Sequence, residues 1–142
     1  MSVRLAAETF SKLEQLAFEE RRKTGRRVSY SLLLGEYIDA EHQELLHRRK
    51  SVLEGKVLPW KQPPWRLAPN GSVERHVMPV RFEPATRTRL EELVEDASHR
   101  ATERVSCSVL IATLVERRHA KLGRRRKQLT ELWAPKRKRT AS

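Results

Sequence analysis

Two short stretches of the chain alternate apolar and polar residues. Residues 3–5 place two apolar side chains on one face and Arg4 on the other, and residues 80–82 repeat this arrangement around Arg81. A period of two residues is typical of a strand that buries one face. We therefore predict a short strand in each stretch.

A helical pattern follows each predicted strand. Apolar residues recur at intervals of three and four, which gathers them on one side of a helix. A serine then precedes a second, wider apolar stripe, and its hydroxyl can accept a hydrogen bond from a free backbone N–H in the first turn. The first-helix stripes are Phe10, Leu13, Leu16, Ala17 and Leu90, Leu93, Val94, Ala97; the caps are Ser29 and Ser106; the second-helix stripes are Leu33, Leu34, Tyr37, Ile38 and Leu110, Ile111, Leu114, Val115.

The two patterns are copies of one unit. A shift of 77 residues lays residues 1–45 over residues 78–122 without a gap, and about fourteen of the 45 positions are identical. A unit of this size is too small to bury its own core, and a lone strand is not stable in water. We therefore expect a mainly α fold with a short β-ribbon, in which a two-stranded antiparallel ribbon lies over four interlocked helices. The chain would be a single-chain pseudo-dimer of two duplicated strand-helix-helix units.

Charge divides the chain into four parts. Module 1 at residues 1–45 has seven bases and eight acids, and module 2 at residues 76–122 has eight and seven. The connector at residues 46–75 has seven bases and two acids, and the C-terminal tail at residues 123–142 has eight and one. The net charge of +12 indicates a polyanionic partner, nucleic acid or an acidic membrane surface, and the surplus lies in the connector and the tail.

Several classes of protein are disfavoured by the sequence. Cys107 is the only cysteine, which excludes an intramolecular disulfide and a Cys-rich metal cluster. His42 and His47 do not have the spacing of an HExxH site, and no phosphate loop or nucleophile elbow is present. We expect no enzyme activity, no cofactor and no metal. Without a long apolar run for a signal peptide or a membrane span, we expect a soluble cytoplasmic protein. We expect it to be associated with the nucleoid or a plasmid and to have no membrane partner.

The segments SVRLAAETFSKLEQLA with VSYSLLLGEYI, and PVRFEPATRTRLEELV with VSCSVLIATLV, resemble the ribbon-helix-helix (MetJ/Arc) superfamily. The two copies cover about two-thirds of the chain. The resemblance implies that the ribbon enters the major groove of DNA and that its outward side chains, Ser2, Arg4 and Arg81, contact bases. The alternative is that both arginines are merely solvated.

The resemblance also places the start of each second helix against the DNA backbone. The residues implied are Arg26, Arg27, Ser29, Tyr30 and Ser31 in module 1, and Arg104, Ser106, Cys107 and Ser108 in module 2. Three positions depart from the usual pattern. Pro79 suggests an edge or an early end of the second strand, Glu83 would repel phosphate, and Thr102 replaces the Gly25 of module 1.

The tail is either a solvated charged segment or a phosphate anchor without sequence preference. Its bases are Arg124, Arg125, Arg126, Lys127, Lys136, Arg137, Lys138 and Arg139. We predict that the protein binds double-stranded DNA with sequence specificity. It would be a monomer in solution that can self-associate on adjacent DNA sites. Its role would be that of a transcriptional regulator, or of an accessory factor in plasmid partition or conjugation. The alternatives are an antitoxin-type autoregulator with a protein partner and a basic RNA- or ribosome-associated helical protein.

Overall fold

The computed structural model describes residues 1–56, 75–101 and 105–133. Within these ranges the chain is mainly helical, with one small two-stranded antiparallel sheet. The elements in chain order are β1 (Ser2–Ala6), α1 (Ala7–Thr24), α2 (Tyr30–Leu53), β2 (Arg75–Pro79), α3 (Pro84–Ala101) and α4 (Cys107–Trp133).

The two strands form a ribbon with one buried face. Ser2 lies opposite Pro79, and Val3 lies opposite Met78. The Val3 and Met78 side chains are buried beneath the ribbon, whereas Ser2 and Pro79 are exposed on its outer face. The ribbon therefore has an apolar side toward the helices and an outer side toward solvent.

The position of the second strand differs from the prediction. Residues 80–82 follow β2, which ends at Pro79. One further ladder bond joins Val80 N to Met1 O at 2.9 Å, and the Arg81 N–H donates to a serine hydroxyl instead of a strand. The predicted alternation still holds, since Val80 is buried and Arg81 is exposed.

Both predicted helix caps are confirmed. Ser29 Oγ accepts from Leu32 N at 3.1 Å, and Ser106 Oγ accepts from Val109 N at 3.2 Å. Gly25 ends α1 in the left-handed conformation, with φ of 69°, which a residue without Cβ adopts at little cost. These local interactions fix where each second helix begins.

The predicted apolar stripes form one core. Phe10 and Val94 are partly buried, and the other stripe residues are buried. In this core α1 packs against α4 and α2 packs against α3, so the first helix of each module contacts the second helix of the other module. Each helix in the described ranges is too short or too polar to span a lipid bilayer.

Both second helices extend beyond the predicted module boundaries. α2 runs into the connector as far as Leu53, and α4 continues through Gly123 to Trp133. A single glycine costs a helix only about 1 kcal/mol, and Arg, Lys, Gln and Leu on either side are good helix formers. The first part of the predicted tail is therefore helical, while residues 57–74 and 134–142 lie outside the described residues.

Candidate nucleic-acid interface

The outer face of the ribbon carries the residues predicted to contact bases. Ser2 and Arg4 are exposed on β1, and Arg81 is exposed just beyond β2. The antiparallel register adds a residue that the sequence did not indicate, because it places Val77 opposite Arg4 with 59% of its surface exposed. Val77 precedes the stretch that aligns between the modules, so only the strand pairing brings it to this face.

Two serines hold the backbone of the ribbon arginines. Arg4 N donates to Ser108 Oγ at 3.0 Å, and Arg81 N donates to Ser31 Oγ at 3.1 Å. Ser31 and Ser108 are 77 residues apart, as Arg4 and Arg81 are. Each hydroxyl accepts from the opposite module's arginine and keeps its own hydrogen to donate elsewhere. These two serines, predicted from the resemblance to contact phosphate, thus tie the ribbon to the second helices.

The starts of α2 and α4 lie beside the ribbon and favour an anion. The first turn of each helix has no acidic residue, and both capping serines are exposed. Free N–H groups and the helix dipole attract negative charge at such an end. Arg26 and Arg27 are exposed just before α2, whereas Arg104 lies outside the described residues.

Tyr30 and Cys107 occupy the first position of α2 and α4, and both are half-buried. The Tyr30 ring meets Phe10 edge-on, with centroids 5.8 Å apart, and Phe10 in turn stacks on His76 at 4.7 Å. Burial raises the pKa of the Cys107 thiol. The thiol therefore stays neutral and does not place a negative charge at the start of α4.

The two ends of the ribbon differ in charge. Beside Arg81 an open cavity of about 340 Å³ is lined in part by the carboxylates of Glu36, Asp39 and Glu83. The matching residues near Arg4 are Thr113, Glu116 and Ala6. At these three positions the Arg81 end has two more carboxylates than the Arg4 end, whereas the exposed Arg26 and Arg27 add positive charge to the same end.

Polar contacts beneath the ribbon recur at the same offset of 77 residues. Thr9 Oγ1 donates to Glu116 at 2.9 Å, and Thr86 Oγ1 donates to Asp39 at 3.3 Å. A cation on the same helix as each threonine binds the same carboxylate, Lys12 at 2.6 Å and Arg89 at 3.0 Å. The two ends of the interface are thus supported by equivalent contacts.

A second pair of equivalent contacts involves the two histidines that match between the modules. His42 Nε2 lies 2.7 Å from Glu92 Oε2, and His119 Nε2 lies 2.7 Å from Gln15 Oε1. The hydrogen bond to His42 lowers the pKa of the Glu92 carboxyl. These histidines therefore join the two modules through equivalent positions. No group of three or more His, Cys, Asp or Glu side chains within the described ranges could hold a metal ion.

The basic residues near the end of α4 lie far from the ribbon. Arg124, Arg125 and Lys127 are exposed. At 1.5 Å per residue, Arg124 stands about 26 Å along the helix from Cys107. The side chain of Arg126 and the second basic cluster, Lys136, Arg137, Lys138 and Arg139, lie outside what the structure describes.

Comparison with family models, with curated proteins and with solved structures found no match.

Proposed function

We propose that this chain is a sequence-specific double-stranded DNA-binding protein of the ribbon-helix-helix type, folded as a single-chain pseudo-dimer. The observation that carries the proposal is a pair of exposed arginines, Arg4 on β1 and Arg81 just beyond β2. The guanidinium groups of Arg4 and Arg81 are exposed, while their backbone N–H groups are held by Ser108 and Ser31. A fixed backbone with a free guanidinium suits a side chain that donates twice to guanine.

The pseudo-dimer is supported by the contacts between the modules. Ser2 pairs with Pro79, and these two residues occupy the same position in the two modules, 77 residues apart. A pseudo-two-fold axis therefore passes between them. The serine, threonine and histidine contacts recur on both sides of that axis. Each module supplies the strand and helix face that the other lacks.

The spacing of the two arginines fits the major groove. Arg4 lies opposite Val77, which is four residues before Arg81. Four residues of extended chain span about 13 Å. This is close to four base-pair steps of about 3.4 Å, and the groove is wide enough for a two-stranded ribbon. The arginines would therefore read two guanines about four base pairs apart.

The helix starts would position the ribbon in the groove. The N-termini of α2 and α4 flank the ribbon and would each bind a backbone phosphate, which fixes orientation without reading sequence. A protein of this kind would act as a transcriptional regulator or as an accessory factor in plasmid partition or conjugation.

The proposal is tested by selecting bound fragments from a random duplex pool and measuring Kd on the enriched duplex. Arg4→Ala and Arg81→Ala should each weaken binding by about 1 to 3 kcal/mol. Their loss on a scrambled duplex should be smaller. Arg49→Ala is the matched control, because Arg49 is exposed about 30 Å along α2 from Ser29. Failure to enrich any duplex, or equal binding of an RNA of the same length, would refute sequence-specific recognition of double-stranded DNA.

A further inference from the structure

The second helices of the two modules meet through equivalent positions. A cavity of about 170 Å³ lies between α2 and α4. Its α2 side is lined by Tyr37, Ala40, Glu41 and Glu44, and its α4 side by Leu114, Arg117, Arg118 and Lys121. Adding 77 to each α2 position gives the α4 position. We call this contact the α2–α4 crossing.

The two sides of the crossing carry opposite charge. α2 contributes two carboxylates, and α4 contributes three cations. Arg117 Nη1 donates to Glu41 Oε1 at 3.2 Å, and the Arg118 guanidinium lies 4.9 Å from the centre of the Tyr37 ring. The matching positions of α2 and α4 therefore carry side chains of complementary charge.

A module paired with a second copy of itself would lose this complementarity. Two copies of module 1 would bring Glu41 and Glu44 against Glu41 and Glu44, and two copies of module 2 would bring six cations together. Like charges held opposite each other disfavour a pairing and suppress wrong partners. The threonine contacts make no such distinction, because Thr9 could bond equally to the Asp39 of a second module 1.

We propose that the α2–α4 crossing makes the two modules select each other and reject copies of themselves. The chain then closes on itself, helped by the high effective concentration that the connector gives the second module. The inference rests on the proposed pseudo-dimer but does not depend on DNA.

Charge reversal in the full chain tests the selection. Variant A combines Glu41→Arg with Glu44→Lys, and variant B combines Arg117→Glu with Lys121→Glu, leaving Arg118 on Tyr37. Each variant should reduce the equilibrium constant for folding about tenfold or more in urea titrations. A chain with all four substitutions should recover most of the combined loss, since its two sides are complementary again.

Mixing the variants tests the choice of partner. Both sides of the crossing are cationic in variant A, whereas variant B has an excess of acid on both. Sedimentation of an equimolar mixture without DNA should show a 1:1 complex of two chains that is more stable than either chain alone. Wild-type chains should remain monomers at the same concentration.

The matched control is Glu14→Lys with Glu95→Lys, which changes the net charge as much as variant A at exposed positions outside the crossing. It should keep the wild-type stability. The proposal is wrong if variants A and B behave like this control, or if the four-substitution chain is no more stable than the weaker variant. It is also wrong if the mixture gives no complex, because charge would then affect stability without choosing a partner. None of these outcomes bears on DNA binding.

Discussion

Loss of the two ribbon-holding hydroxyls should weaken both folding and DNA binding. Ser31→Ala with Ser108→Ala removes the acceptors of the Arg81 and Arg4 backbone N–H groups, at 3.1 and 3.0 Å. Both hydrogen bonds are exposed, so water can replace the missing hydroxyl, and each should contribute about 0.5 to 1 kcal/mol. The two sites lie at opposite ends of the ribbon, and their effects should add.

The double variant should therefore lose about 1 to 2 kcal/mol of unfolding free energy. For a chain of this size the melting temperature should fall by roughly 3 to 6 °C. Urea titration and thermal melting followed by circular dichroism measure both quantities. Ser31→Thr with Ser108→Thr keeps the hydroxyls and is the control.

Affinity for the selected duplex should fall as well, although neither serine needs to touch a base, because the arginine backbone is no longer held. Arg4→Ala with Arg81→Ala should give the opposite combination, a large loss of affinity with an almost unchanged melting temperature. An alanine variant as stable as the threonine control would show that the hydroxyls do not hold the ribbon. A large drop in melting temperature for the arginine variant would show that the guanidinium groups are structural.

Ser29→Ala and Ser106→Ala should each cost about 1 kcal/mol in urea titrations, because each removes a helix cap, and aspartate in their place should restore it. The hydrogen bond to His42 lowers the pKa of the Glu92 carboxyl. The contribution of this hydrogen bond to folding stability is therefore fully present above the ordinary carboxyl pKa and is lost as the pH falls through the lowered pKa. Glu92→Gln should therefore lose less stability than the wild type between pH 7 and acid pH. Glutamine at residues 124–127 should make the slope of log Kd against log salt shallower on a long duplex, by about 0.9 for each phosphate that the protein no longer neutralises. An unchanged slope would show that these residues contact no phosphate.

Local chemistry made much of the fold predictable. The apolar stripes follow from helical periodicity, and Ser29 and Ser106 could be placed because a cap bonds to a backbone N–H only three residues away. The helix ends were less predictable, since Gly123 looks like a boundary but costs too little to stop a run of good helix formers.

Features that depend on distant pairing could not be predicted in the same way. The placement of β2 follows from the register against β1, and that register also brings Val77 beside Arg4. The partners of Ser31 and Ser108 lie 50 and 104 residues away in the chain. Nothing in the sequence near either serine distinguishes a hydroxyl that holds the ribbon from one that contacts phosphate.

The pairing of Ser2 with Pro79 makes the two strands chemically different at the centre of the ribbon. At the centre of the ribbon one strand offers a hydroxyl that can donate and accept, and the other offers only an apolar ring. A homodimer cannot make this distinction, because its central residues are identical. A chain that binds as proposed would therefore bind an asymmetric DNA site in one orientation. A protein bound to the neighbouring DNA would then always contact the same side of it.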